Sequence, residues 1–174
     1  MNSWSGACRV VYNLGLELRI ASWRNRNEKV HKFELMKQLT QIKDIDWIAD
    51  VPGMSLQNAI ERLDNSYKKF FKGGGFPKWA SKSGYRSILF KQSKRILRVS
   101  GNIINIPKIG QLKLFKDSEI RGSIKTAIIV KERTGYFICI VTDSIKNIQN
   151  KDESQVVGLD MGLAHFCIDS NGEF

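Results

Sequence analysis

The stretch best suited to do chemistry is QVVGLDMGLAHFCIDSNGEF, residues 155–174. An apolar pair, Val156 and Val157, leads into Gly158-Leu159-Asp160 and a Met161-Gly162-Leu163 turn. A second apolar run (Phe166, Cys167, Ile168) and a polar turn at Asp169-Ser170-Asn171-Gly172 follow. A carboxylate on a strand buried on both faces is costly unless it is paired or bound to a metal. Asp160 is expected in that position, and its flanking glycines let a ligand approach the backbone. Two readings stay open from these residues: a metal-binding carboxylate that begins an active site, or a tight turn closed by a hydrogen-bonded aspartate. His165 and Cys167 would share one strand face, but two ligands do not make a zinc site, and both read as packing residues. Cys8, Cys139 and Cys167 are odd in number and far apart, with no C-x-x-C pair. That pattern fits a reducing cytosol rather than a disulfide framework.

The charge distribution points to a partner. The chain has 174 residues, 28 Lys+Arg against 17 Asp+Glu, and a formal net charge of +11. Such a field favours a polyanion, most simply nucleic acid. No acidic residue lies between Asp64 and Asp117, whereas Lys68, Lys69, Lys72, Lys78, Lys82, Arg86, Lys91, Lys94, Arg95, Arg98, Lys108, Lys113 and Lys116 do. A charge run is usually a solvated face, but a one-sign stretch of this length favours a binding surface. Its interleaved aromatics (Tyr67, Phe70, Phe71, Phe76, Trp79, Tyr85 and Phe90) divide between core packing and stacking on bases. No apolar run reaches membrane-spanning length, and the first residues lack a signal-peptide core.

These groups need elements to position them. Ala7, Val11, Leu14, Leu18 and Ala21 have the spacing of one helix face. Phe33, Leu35, Met36, Leu39 and Ile42 predict a short helix over 33–43. A single helical turn should end at Pro52, and Ser55 should cap a strongly periodic helix over 56–72. Gly73-Gly74-Gly75 stops it. Phe70 is expected to pack on the first helix. FPKWASKSGYRS then forms a basic, aromatic loop. Beyond it the period becomes that of strands: Ile88–Gln92, Arg95–Ser100, Asn102–Pro107, Gln111–Phe115, Ile124–Lys131 and Tyr136–Thr142. Gly101-Asn102 is a two-residue hairpin signal. Many short strands separated by turns suggest a small antiparallel barrel. Residues 143–154 read as a linker.

Five blocks in this order resemble the OrfB/TnpB family of insertion-sequence-encoded RNA-guided nucleases, relatives of compact type V CRISPR effectors. They are GACRVVYNLGLELR, SLQNAIERLDNSYKKFFKGGGFPKWASKSGYRS, INIPKIGQLKL, IRGSIKTAIIVKERTGYFICIVTD and VVGLDMGLAHFCIDSNG. The resemblance implies an α+β chain: a helical recognition lobe over 1–80, a small antiparallel wedge-like β-barrel with its linker over 81–151, and the first strands of a RuvC/RNase H-like domain over 152–174. It implies that Asp160 is the first catalytic carboxylate and a Mg²⁺ ligand. The family's chemistry uses two divalent ions about 4 Å apart, held by several oxygen ligands. The later carboxylates and the family's zinc ribbon have no counterparts here, so the chain is expected to be truncated at both ends. It should bind Mg²⁺ only if the site were completed, hold no zinc, and not cut DNA alone.

The expected partners are guide RNA and double-stranded DNA, without a membrane, in the cytoplasm of a bacterial or archaeal cell close to the nucleoid. Lys68, Lys72, Lys78, Trp79, Lys82 and Arg86 are the chosen backbone and stacking contacts. One alternative is a nuclease-dead, nucleic-acid-binding regulator. A lower-ranked one is an actin-like nucleotide-binding fragment, because GLDMGLAHFCIDSNG resembles a phosphate loop. Leu163-Ala164 replace the hydroxyl residue expected there.

Overall fold

A computed structural model of the chain describes residues 2–42, 45–91, 97–116, 119–144, 157–162 and 166–171. The chain divides into two units, Met1–Ser144 and Ile145–Phe174. The first begins with four helices: α1 (Asn2–Arg26), α2 (Lys32–Gln41), α3 (Asp46–Ala49) and α4 (Gly53–Phe71). Their shared core includes Ala7, Val11 and Leu16 of α1, Leu35 and Leu39 of α2, Ile48 of α3, and Leu56, Ile60 and Leu63 of α4. Leu14 and Leu18, expected inside, are 40% and 39% exposed. The buried stripe instead turns through Gly15, Leu16 and Arg19. A Cβ at Gly15 would lie 2.9 Å from Leu63 Cδ2, so the glycine is what lets α1 close on α4. Phe33, expected on the inner face of α2, is 75% exposed.

Ser55 is not the cap of α4. The helix starts two residues earlier, behind Pro52, because proline's fixed φ suits a helix entrance. Ser55 lies buried in the first turn, and its hydroxyl donates to the Leu89 carbonyl at 2.9 Å. The buried Cys8 thiol donates to the Ser55 carbonyl at 3.6 Å. One serine thus ties α1, α4 and the first strand together. Ser55→Ala should lower stability by about 1–2 kcal/mol, since a mostly buried carbonyl loses its donor; a shift of the urea midpoint at unchanged slope would show it. At the other end, Gly73 adopts φ +92°. Its N–H donates to Phe70 O at 3.0 Å, and the Gly74 N–H donates to Lys69 O at 2.9 Å. This is a complete Schellman cap, so the glycine stop read from the sequence is present.

The strands β1 (Ser87–Lys91), β5 (Ile124–Lys131) and β6 (Tyr136–Thr142) form one antiparallel sheet in the order β1-β5-β6. β2 (Arg98–Ser100), β3 (Ile103–Ile106) and β4 (Gly110–Lys113) form a second, in the order β2-β3-β4. Gly101-Asn102 is the expected two-residue turn, with Gly101 at φ +56° and Ser100 opposite Ile103. The part of the predicted 95–100 strand at residues 95 and 96 lies outside the described residues. Ile88 and Phe90 of the first sheet share a core with Ile104 and Ile106 of the second, joined by Ile124, Ala127 and Ile129 of β5. A bulge in β5 between Ile124 and Thr126 explains why Ile124 and Ala127 both face inward despite their odd spacing.

The expected barrel is therefore not closed among the described residues: two three-stranded sheets face each other across one core. Their pairing is antiparallel, with β5 and β3 as the central strands, and among the described residues no ladder joins the two sheets. The chain is α+β. In the second unit, β7 (Leu159–Asp160) and β8 (Ile168–Asp169) form a two-stranded antiparallel ladder. Most of the 143–154 linker lies outside the described residues.

Candidate nucleic-acid interface

The cationic surface is built where α4 ends. Lys68 and Lys72 sit one turn apart at that end, and the Schellman cap turns the chain into the 73–86 loop. That loop is anchored at three points. Asn13 of α1 clasps Ala80 with both ends of its amide: Nδ2 donates to the Ala80 carbonyl at 3.1 Å, and Oδ1 accepts from the Ala80 N–H at 2.8 Å. Ser81 closes the next turn, its Oγ accepting the Gly84 N–H at 3.0 Å. Tyr85 is buried, its ring 6.4 Å from that of Tyr12 and under the Arg62 guanidinium at 5.0 Å. Burial raises the Tyr85 phenol well above its usual value, so it stays neutral. Beside these anchors, Lys78 and Trp79 just before Ala80 and Lys82 just after Ser81 face solvent, with Trp79 56% exposed.

The six chosen side chains do not behave alike. Lys72, Lys78 and Lys82 make no ion pair with another described residue. Lys68 pairs with Asp64 at 3.1 Å, and Arg86 with Glu132 at 3.4 Å. Three cations and one indole are thus the readily available contacts. Of the interleaved aromatics, Tyr85 and Phe90 are core, while Phe71 and Phe76 are exposed. Phe70 is half-buried against Phe71 and Phe76, with ring centroids 5.3 Å from each. It belongs to an aromatic cluster at the tip of α4, a role the helical spacing alone did not distinguish from packing on α1.

Sequence reasoning passed over two groups. Asn13 reads as an ordinary polar position on a helix, and only its partner 67 residues away shows its role. Arg62 reads as a surface arginine, yet its Nε donates to Asn58 Oδ1 at 2.9 Å and its Nη2 to Ser87 Oγ at 3.0 Å. It braces the loop's return into β1. Cys8 was read only as a compartment marker. Burial pushes its thiol up to about 12, which keeps it protonated and unreactive.

Asp160 belongs to the other unit and is exposed, as is Leu159. The expectation of a strand buried on both faces is corrected: among the described residues β7 pairs with β8 alone, and nothing covers its faces. Asp160 stands opposite Ile168, and Leu159 opposite Asp169. Side chains of directly paired residues share a face and neighbours alternate, so Asp160 and Asp169 point to opposite sides. Asp169 is also engaged by Asn171, whose N–H donates to Oδ1 at 2.8 Å and whose Nδ2 donates to Oδ2 at 3.2 Å. Among the described residues no group of three His, Cys, Asp or Glu side chains converges. These residues offer Mg²⁺ one carboxylate, which does not make a two-ion site. His165 and Glu173 lie outside the described residues. Cys167 is half-buried and Cys139 exposed. No helix among the described residues is long and apolar enough to cross a membrane.

No family model matches the chain. Two curated relatives do. The protein named "Putative RNA-guided DNA endonuclease InsQ" of Escherichia coli (strain K12) is 24% identical over 176 residues, 99% of this chain and 44% of that protein. A protein of Streptomyces pristinaespiralis named "Putative RNA-guided DNA endonuclease" is 26% identical over 184 residues, 97% of this chain and 43% of its own length. The chain spans less than half the length of either relative.

Proposed function

We propose, from the chain's resemblance to the OrfB/TnpB family and its similarity to two relatives named putative RNA-guided DNA endonucleases, that its helical and sheet unit holds guide RNA and duplex DNA by their phosphates. The observation that carries this is the unpaired trio Lys72, Lys78 and Lys82 around exposed Trp79, on a loop pinned by Asn13. Cations on a fixed loop read backbone charge and shape rather than sequence. An exposed indole adds a stacking face that tolerates any base. The family's name for its relatives supplies the class of partner. The arrangement supplies a way to grip it, without base-edge readout. Asp160 is the position that the resemblance assigns to the first nuclease carboxylate, and its role here is ancestry and one oxygen ligand, with no chemistry assigned to it alone.

The test is the salt dependence of binding to a structured RNA and to a DNA duplex. Each phosphate contact contributes roughly 0.7–0.9 to the slope of log affinity against log salt. The combined Lys72→Ala, Lys78→Ala and Lys82→Ala variant should flatten that slope by about two to three and weaken binding uniformly across sequences. Binding indifferent to salt, or a slope the triple variant leaves intact, would sink the proposal.

A further inference from the structure

Beside this surface lies a feature that phosphate contacts leave unused. A cavity of about 540 Å³ opens between the last turns of α1 and α4, with residues 28–31 and Phe76 also in its lining. Its volume is that of a small-molecule site. One wall is aromatic: Phe76 meets Tyr67 edge-on, with centroids 5.8 Å apart, and Phe70 edge-on at 5.3 Å. Phe71 and Trp23 are 75% and 52% exposed at the mouth, which is an unusual place to leave two large rings in water. Four cationic side chains (Arg19, Arg24, Lys29 and Lys68) line it against two carboxylates, Glu28 and Asp64. Asp64 is already neutralised by Arg19 at 2.9 Å and Lys68 at 3.1 Å. Arg19 is 9% exposed, lies over the Tyr67 ring at 4.8 Å, and keeps a buried Nε with no hydrogen-bond partner. A buried donor without an acceptor is a standing cost, and it sits in the wall of a cavity.

We infer that this cavity takes one unpaired nucleotide of a single-stranded RNA, an inference that rests on the nucleic-acid reading above. The base would lie against the Phe71 and Phe76 rings. The flanking phosphates would meet Arg24 and Lys29. Glu28 can accept a hydrogen bond from a ribose 2′-hydroxyl, which a deoxyribose lacks. The excess of positive charge argues against a second copy of this basic chain. It also argues against a purely apolar peptide, which would leave the cations without counter-charge.

The experiment uses the full chain and a short single-stranded RNA carrying one 2-aminopurine. Three probes serve as comparisons: the DNA of the same sequence, a blunt RNA duplex and a blunt DNA duplex. Binding of the single-stranded RNA should quench the 2-aminopurine. The Phe71→Ala, Phe76→Ala double variant, both at exposed positions, should abolish the quench and weaken single-strand affinity about tenfold, the effect of losing one stacked base. Its salt slope and its affinity for both duplexes should not change. The DNA counterpart should bind more weakly than the RNA. Salt-dependent duplex binding with no quench would leave the phosphate grip standing and overturn the pocket. Equal losses on duplex and single strand, or equal affinity for RNA and DNA strands, would overturn it too. So would a self-associating chain that the double variant turns monomeric, because the cavity would then be a contact between copies.

Discussion

Asp64→Ala should lower the unfolding free energy by about 3 kcal/mol, near the lower end of what breaking a buried pair costs. The loss has a specific source. Arg19 is almost wholly buried, with one guanidinium nitrogen on Asp64 and Nε already without a partner. Without the carboxylate its charge is left uncompensated in the wall between α1 and α4. Urea denaturation at neutral pH measures the effect, and a change under 1 kcal/mol would refute it. The pH dependence follows from the same pair. Partial burial pushes the Asp64 carboxyl up, but hydrogen bonds from Arg19 and Lys68 outweigh it and hold the group below its usual 3.8. A carboxyl with a depressed folded value stabilises the protein at pH above its unfolded value. That stability is lost as pH falls through the folded value, because the unfolded chain takes up the proton more readily. The wild type should therefore lose more stability than the alanine variant on acidification below about pH 4.

Phe90→Ala should cost about 3–5 kcal/mol, the range for deleting a fully buried aromatic side chain. Phe90 is 0% exposed and is among the largest wholly buried side chains. It sits on β1 opposite Ala127 of the central strand β5, inside the core that both sheets share. A cavity there removes contacts from two sheets at once, in a core that Trp4 of α1 and Met54 of α4 also border. Domains of this size have roughly 5–15 kcal/mol in total, so the variant should be marginal at 25 °C. Calorimetry or denaturant unfolding reads the result. A Phe90→Ala chain with near-wild-type stability would mean that the sheets do not share a core.

How much of this was visible in the residues depended on how far apart the partners lie. The β5–β6 hairpin has the bounds that alternation predicted, since both strands and their turn lie within twenty residues. Gly101-Asn102 and the glycine stop after α4 were readable for the same reason: turn chemistry is local. The inner face of α1 was misjudged because its decisive residues are a glycine and an arginine. Neither scores as apolar. Gly15 is inside because Leu63 needs the space, and Arg19 because Asp64, 45 residues on, neutralises it. Ser55 was misassigned because capping preferences see the helix start, whereas its acceptor on Leu89 belongs to a strand 34 residues away. Short strands announced an antiparallel β architecture, but whether sheets close on each other depends on edge pairing that no local pattern encodes. At the candidate site, composition located the basic loop. It could not tell the cations that Asp64 and Glu132 engage from those left open.

The two hydrogen bonds from Asn13 to Ala80 have a further meaning for recognition. A long loop that orders only on meeting its partner gives up conformational freedom at that moment, and the loss is subtracted from affinity. Here one side-chain amide reproduces a backbone pairing and fastens the middle of the loop to a helix 67 residues earlier. The freedom of Lys78, Trp79 and Lys82 is thus largely surrendered during folding, in a step that burial of Tyr85 and Pro77 already drives. A polyanion arriving at this face meets a surface whose backbone is already in place, and only the lysine side chains remain to be ordered.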